Sequence, residues 1–180
     1  MQDSAKLKVL FIAGFGPIVR DTGESRRLYR DVLGMPFKEE ADGYLHSEAV
    51  PGAKSFALWP LSQVAQSCFG KDSWPKEIPA PQAWLEFDVE SVEKATEILK
   101  SCGYRMLVKN KKEPWGQIVS RFISPEGLLL GITFTPSMRE QSRHTIHKVR
   151  SGRSRVLLHH LRSRGSRHPE FVVFPHQHRF

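Results

Sequence analysis

The feature that most constrains this chain is a junction that occurs twice. Ile18-Val19-Arg20-Asp21 ends an apolar run and opens a helical pattern, and Asp88-Val89-Glu90-Ser91 does the same 70 residues later. Both junctions supply caps. Asp21 can accept from first-turn amides and has Glu24 three residues on, the capping-box spacing, while Ser91 is a favourable N-cap followed by Glu93 in the first turn. Leu28, Tyr29, Val32 and Leu33 form one apolar stripe at helical spacing, and Val92, Ala95, Ile98, Leu99 and Cys102 form a second. Gly34 and Gly103 follow the last apolar residues, where a left-handed C-terminal cap needs glycine.

After each helix the period changes from 3.6 to 2. Pro36 to Glu40, Tyr44 to Val50 and Ser55 to Leu61 read as strands parted by turns at Asp42-Gly43 and Pro51-Gly52. Arg105 to Lys109, Gln117 to Ser124 and Leu128 to Phe134 read likewise, with Pro125-Glu126-Gly127 as the last turn. The order strand, helix, three strands thus occurs twice, over about 8–62 and 83–136, an α+β pattern. Residues 62–82 carry Pro75, Pro79 and Pro81 and read as a linker with one helical turn near Val64 to Cys68.

The chain has 180 residues, 39 % of them hydrophobic and 26 % charged, enough for one sizeable core and too few for two ordinary domains. This excludes a disordered protein and a membrane protein. The net charge of +8 is confined: residues 139–180 hold ten basic residues against Glu140 and Glu170, so residues 1–138 are neutral. Seven of the eight histidines also lie beyond residue 138. Nucleic-acid binding is therefore open only to residues 139–180, a C-terminal basic extension whose loss of periodicity reads as disorder. A segment docked on the body or on a second copy, and a stretch without a selected role, remain open beside it. Cys68 and Cys102 are too few for a disulfide framework, so the expected setting is reducing and cytoplasmic. Val9 to Val19 behind Lys6 and Lys8 imitates a secretory signal but lacks a small-residue cleavage pattern, and it is too short to span a membrane.

Asp21-x-x-x-Ser25-x-x-x-Tyr29-Arg30-Asp31-Val32-Leu33-Gly34, with Ser124-Pro125-Glu126-Gly127 before an apolar strand, resembles the vicinal-oxygen-chelate superfamily over about residues 8–136. That group contains glyoxalase, extradiol dioxygenases, fosfomycin-resistance enzymes and bleomycin-resistance proteins. The resemblance implies an α+β fold of two βαβββ modules whose curled mixed sheets surround a shared cleft, commonly in a homodimer, and a divalent metal held from the first and last strand of each module. The first-strand positions, seven residues before each helix cap, are Gly14 and Trp84, and the last-strand position after Gly127 is Gly131. None can ligate. Residues 55–62, which hold the fourth position, contain no Asp, Glu or His. No metal or other cofactor is expected. His46, with Glu48 two residues on, is at most a weak two-ligand site, and the tail's His159-His160 and His176-x-His178 are adventitious chelators.

Other catalytic templates are absent. No histidine has the spacing of a Ser or Cys nucleophile pair, and Gly14-x-Gly16-Pro17 lacks the helix opening that would hold a pyrophosphate, so these glycines read as a bulge or a close strand crossing. Strand alternation then selects the cleft lining. Trp84, Glu86 and Asp88 face inward if Leu85, Phe87 and Val89 face the helices; by the same logic so do Ala57, Trp59, Leu129, Gly131 and Thr133. Phe15, Trp74 and Trp115 can add to the lining, and Arg121 or Thr133 can partner the buried Glu86 carboxylate. Two readings fit the tryptophans: filler of a collapsed core, or stacking faces for a planar or cationic ligand. The expected function is metal-free binding of a small molecule, as in the bleomycin-resistance branch of antibiotic-resistance proteins, with Trp84, Glu86, Trp59, Thr133, Arg121 and Phe15 as ligand-binding residues. The rivals are a glyoxalase- or dioxygenase-like enzyme with a non-standard site, and nucleic-acid binding through the tail.

Overall fold

The structure is a computed structural model, and it describes residues 7–40 and 42–140. The basic extension beyond Glu140, with the readings offered for it, lies outside the described residues. The first module runs β1 (Val9–Val19), α1 (Thr22–Arg26) with a π-helical continuation (Arg27–Val32), β2 (Lys38–Glu39), β3 (Leu45–Ser47) and β4 (Phe56–Pro60). The second runs β5 (Ala83–Val89), α3 (Val92–Ser101), β6 (Met106–Lys112), β7 (Ile118–Ile123) and β8 (Leu129–Phe134), after α2 (Leu61–Phe69). The protein is α+β with two βαβββ modules, as the repeat predicts.

The caps form as the sequence dictates. Asp21 Oδ1 accepts from the Glu24 amide at 3.0 Å and Ser91 Oγ from the Lys94 amide at 3.3 Å. Each module's last strand runs parallel to its first, β4 to β1 and β8 to β5, and β1 meets β5 antiparallel. The two expected sheets therefore join as one, in the order β2-β3-β4-β1-β5-β8-β7-β6. A Cβ at Gly16 would stand 1.9 Å from the Ala57 carbonyl oxygen, so this glycine is a close strand crossing and not part of a phosphate loop.

One element exceeds its expectation. The segment around Val64 is not a single turn within a linker but the nine-residue α2, which buries Val64, Ala65 and Cys68 and ends at Gly70 in the left-handed conformation. The three prolines of this stretch all lie beyond its C-terminus, which leaves Leu61, Val64, Ala65 and Cys68 free to form a helical stripe. Their face joins Trp84, Ile18, Ala57, Val108 and Leu129 in a core drawn from both modules. A second core lies under α3 and a third beneath Tyr29 and Phe56. The body also runs past its expected end at residue 138. Arg139 donates to the fully buried Asp88 at 2.8 Å, bonds the Val89 carbonyl, and lies over the Phe134 ring.

Candidate ligand-binding cleft

The concave face of the joined sheet encloses a cleft of about 1110 Å³. Its floor is built from the alternation expected on β5 and β8: Trp84, Glu86 and Asp88 are buried on this side, while Leu130, Ile132 and Phe134 pack under α3. The positions where related enzymes hold metal are filled by neighbouring side chains. A Cβ at Gly14 would meet the Trp84 ring at 2.7 Å, and one at Gly131 would meet the Glu86 Cγ at 2.6 Å. A tryptophan ring and a carboxylate stem thus take the space of two ligands, and no group of three or more His, Cys, Asp or Glu among the described residues could hold a metal ion. The residues present do not fit the superfamily's metal.

Glu86 is the centre of a charge network. Arg121, 2 % exposed, donates to Glu86 Oε1 at 3.2 Å, to Glu113 Oε1 at 3.3 Å and to Ser67 Oγ at 2.8 Å. Gln117 donates to the other Glu86 oxygen at 3.0 Å, and Lys111 lies 3.2 Å from Glu113. Two cations therefore offset two carboxylates in a region where an unpaired charge would be costly. The Arg121 guanidinium also lies 5.1 Å from the Trp59 ring centroid. Of the two partners foreseen for Glu86, Arg121 serves. Thr133 does not, because its hydroxyl is spent on the Ile118 carbonyl and on Thr135, and it is Thr135 that reaches the cleft.

The lip is built differently. Glu40, Asp42, Tyr44, His46 and Glu48 are alternate residues through the β2–β3 hairpin, and all five line the cleft. His46 stacks on Tyr44 with ring centroids 5.8 Å apart and bonds Glu40 at 2.9 Å, so it is a structural residue of the lip. Burial, reinforced by the Glu86 charge, pushes the Tyr44 hydroxyl well above the ordinary tyrosine range, with Arg121 opposing. Trp115, 68 % exposed, closes the opposite side, and its indole donates to Gln117 at 3.2 Å.

Of the residues expected in the cleft, Trp59, Trp84, Glu86, Arg121 and Trp115 line it. Trp84 is only 6 % exposed and meets Trp59 edge-on at 5.7 Å. Phe15 is a correction: it pairs with Leu85, packs edge-on against Phe56, and so faces the helices. Trp74 is another, since it lines a separate depression beside α2 and bonds the Ile78 carbonyl. Tyr44, Ser67, Lys111, Glu113 and Gln117 were missed. Tyr44 carried a signal, the run of alternate residues that includes His46, whereas Glu113 and Ser67 come from segments whose place only the packing of α2 against β6 sets.

Fold and cleft define a two-module α+β scaffold with an enclosed polar floor. The chain belongs to the Glyoxalase/Bleomycin resistance protein/Dioxygenase superfamily, whose family model matches residues 12–132. No curated protein matches it in sequence. Solved structures of similar fold include a superfamily member from Vibrio splendidus 12B01, 16 % identical with a TM-score of 0.48 over 71 % of this chain and 98 % of that one. Methylmalonyl-CoA epimerase from Mycobacterium tuberculosis is 19 % identical with a TM-score of 0.46, over 76 % and 95 %. An extradiol ring-cleaving dioxygenase from B. fuscum is 20 % identical with a TM-score of 0.49, over 73 % of this chain and 34 % of that chain. At such identities and TM-scores these likenesses carry no argument about what this chain does. Among the described residues no helix is long and apolar enough to cross a membrane.

Proposed function

We propose that this protein binds a planar organic cation in the cleft and holds it without chemistry. The observation that carries this reading is the lip: three carboxylates, Glu40, Asp42 and Glu48, alternate with Tyr44 and His46 on one face of a hairpin. The two deep carboxylates are already offset by Arg121 and Lys111, so the cleft's excess of five carboxylates over two cations resides at the entrance. Glu86, expected among the ligand-binding residues, thus does not meet the ligand's charge; it positions Arg121. Tyr44, Trp59 and Trp115 supply aromatic surface for the flat body of the ligand. An enzymatic reading with Glu86 as general base finds little support, since both of its oxygens already accept hydrogen bonds. The free cysteines, Cys68 and Cys102, fit a cytoplasmic setting for such sequestration.

The test is a tryptophan-fluorescence titration comparing N-methylacridinium with neutral acridine. The cation should quench the emission with an affinity that falls as salt rises, and acridine should bind at least about tenfold more weakly. Glu40→Gln combined with Glu48→Gln should remove most of that preference. Trp115→Ala should weaken both compounds about tenfold without loss of stability, because the residue is exposed. Trp84→Ala should also cost about 3–5 kcal/mol of stability as a core truncation. Equal binding of the two compounds, or no response to either, would overturn the proposal.

A further inference from the structure

Strand alternation puts Trp84, Glu86 and Asp88 on one face of β5, yet only the first two line the cleft. Asp88 is fully buried because the chain beyond β8 folds across it. Thr135 donates its amide to one Asp88 oxygen at 2.9 Å, and Arg139 donates Nε–H to the other at 2.8 Å. The segment between them makes one helical turn, closed by the Arg139 amide on the Thr135 carbonyl at 3.3 Å, and Thr135, Ser137 and Met138 line the cleft. Its neighbours fasten it as well. Lys54 donates to the Met138 carbonyl at 3.2 Å while lying over the Phe11 ring, and Gln117 donates to the Thr135 hydroxyl at 3.3 Å. The Arg139 guanidinium covers the Phe134 ring and bonds the Val89 carbonyl.

We propose that residues 135–139 are a strap walling one end of the cleft, and that Asp88 and Arg139 are positioning residues that latch it and so retain the bound molecule. This rests on the cleft being the ligand site. A carboxylate sealed from water is costly unless its oxygens are bonded and its charge is offset, and Arg139 does both, with its guanidinium 2.7 Å from Asp88. Lifting the strap breaks that pair, so Ser137 and Met138 are held in place before any ligand arrives and need not be ordered on binding. Encounter is governed by the carboxylates of the lip, on the β2–β3 hairpin. Contacts with the strap form after encounter, and their loss acts on dissociation.

Stopped-flow fluorescence of the full-length protein with N-methylacridinium, beside amide exchange at residues 135 and 139, tests the proposal. Asp88→Asn combined with Arg139→Met leaves net charge unchanged and no carboxylate buried alone at this point. It should raise exchange at both amides at least about tenfold while β5 and β8 stay protected. Dissociation should become about tenfold faster, with association within about twofold of wild type. Arg139→Met alone strands the Asp88 charge, so it should melt well below the double variant yet release the dye equally fast; a merely structural pair would make stability and release change together. Met138→Ala, which keeps the latch, should speed release about threefold and leave exchange unchanged. Unchanged exchange in the double variant would overturn the latch, and raised exchange with unchanged release would overturn its part in retention. Failure of wild type to bind the dye would overturn the cleft reading and retention with it, while exchange would still decide whether the latch exists.

Discussion

Cys68 illustrates how one residue's surroundings set a property of the whole protein. Its thiol lies under α2 within the core, and burial pushes its pKa up to about 11 from an ordinary 9.0, with Arg121 and Lys111 opposing. Tyr44 is raised in the same sense. Above pH 9 the unfolded chain releases protons that the native state still holds, so the unfolded state binds fewer protons and stability falls as pH rises. For Cys68 the contribution is fully present below pH 9 and is lost as pH climbs towards about 11, with a limiting slope of about 1.4 kcal/mol per pH unit; for Tyr44 the loss begins only above its ordinary 10.0. Urea unfolding of wild type and Cys68→Ala across this range should show a shallower alkaline decline in the variant, whatever its stability at pH 7. Parallel curves would mean that Cys68 is not held neutral by the fold.

At the scale of elements, the two helices answer one repeat with unequal packing. Both begin at a side-chain cap, but α3 buries four of its own residues, whereas the first helix buries none and covers the third core only with the half-buried Tyr29. Thr96 fastens it further, bonding Ser120 at 2.8 Å and Asn110 at 3.1 Å, and Asn110 sits at a bulge of β6 with a positive φ of 45° that an asparagine tolerates. Loss of a cap is felt in full only where the helix unfolds with the rest of the molecule. Ser91→Ala should therefore cost about 1 kcal/mol in global urea unfolding. Asp21→Ala should cost less than half of that and appear as faster amide exchange confined to residues 22–33. Equal global costs would show that α1 is as firmly docked as α3.

For the molecule as a whole, the decisive fact is how two modules share one sheet. Joining through β1 and β5 sets Gly14 and Trp84, two first-strand positions, on neighbouring strands, with the Trp84 ring lying over Gly14. In a metal enzyme of this fold those positions would converge on an ion; here one side chain fills the other's vacancy. Folding should then be uncoupled from divalent metal. EDTA should leave the melting temperature unchanged, and added zinc, nickel or iron should raise it by less than about 2 °C when imidazole competes with the histidine-rich tail for the ion. A stoichiometric ion that stabilises the body would show that the cleft offers ligands in another arrangement.

The sequence by itself determined the modules, the caps, the turns and the face to which Trp59, Trp84 and Glu86 belong. Those follow from local backbone chemistry and from periods of 3.6 and 2 carried by neighbouring residues, so Trp59, Trp84 and Glu86 were legible in the cleft. Phe15 was offered for the lining without an alternation argument, and bulges between Val9 and Phe11 and between Ile12 and Gly14 interrupt the period that would have placed it on the other face. The length of α2 was hidden by prolines that lie after it. Only the tertiary structure decided which charges meet. Arg121 joins Glu86, Glu113 and Ser67 across 35, 8 and 54 residues of chain, and a pairing between such distant residues leaves no periodic trace. That pairing offsets the buried charge and leaves the excess at the Glu40–Glu48 lip, because a buried carboxylate must find a partner while an exposed one keeps its water.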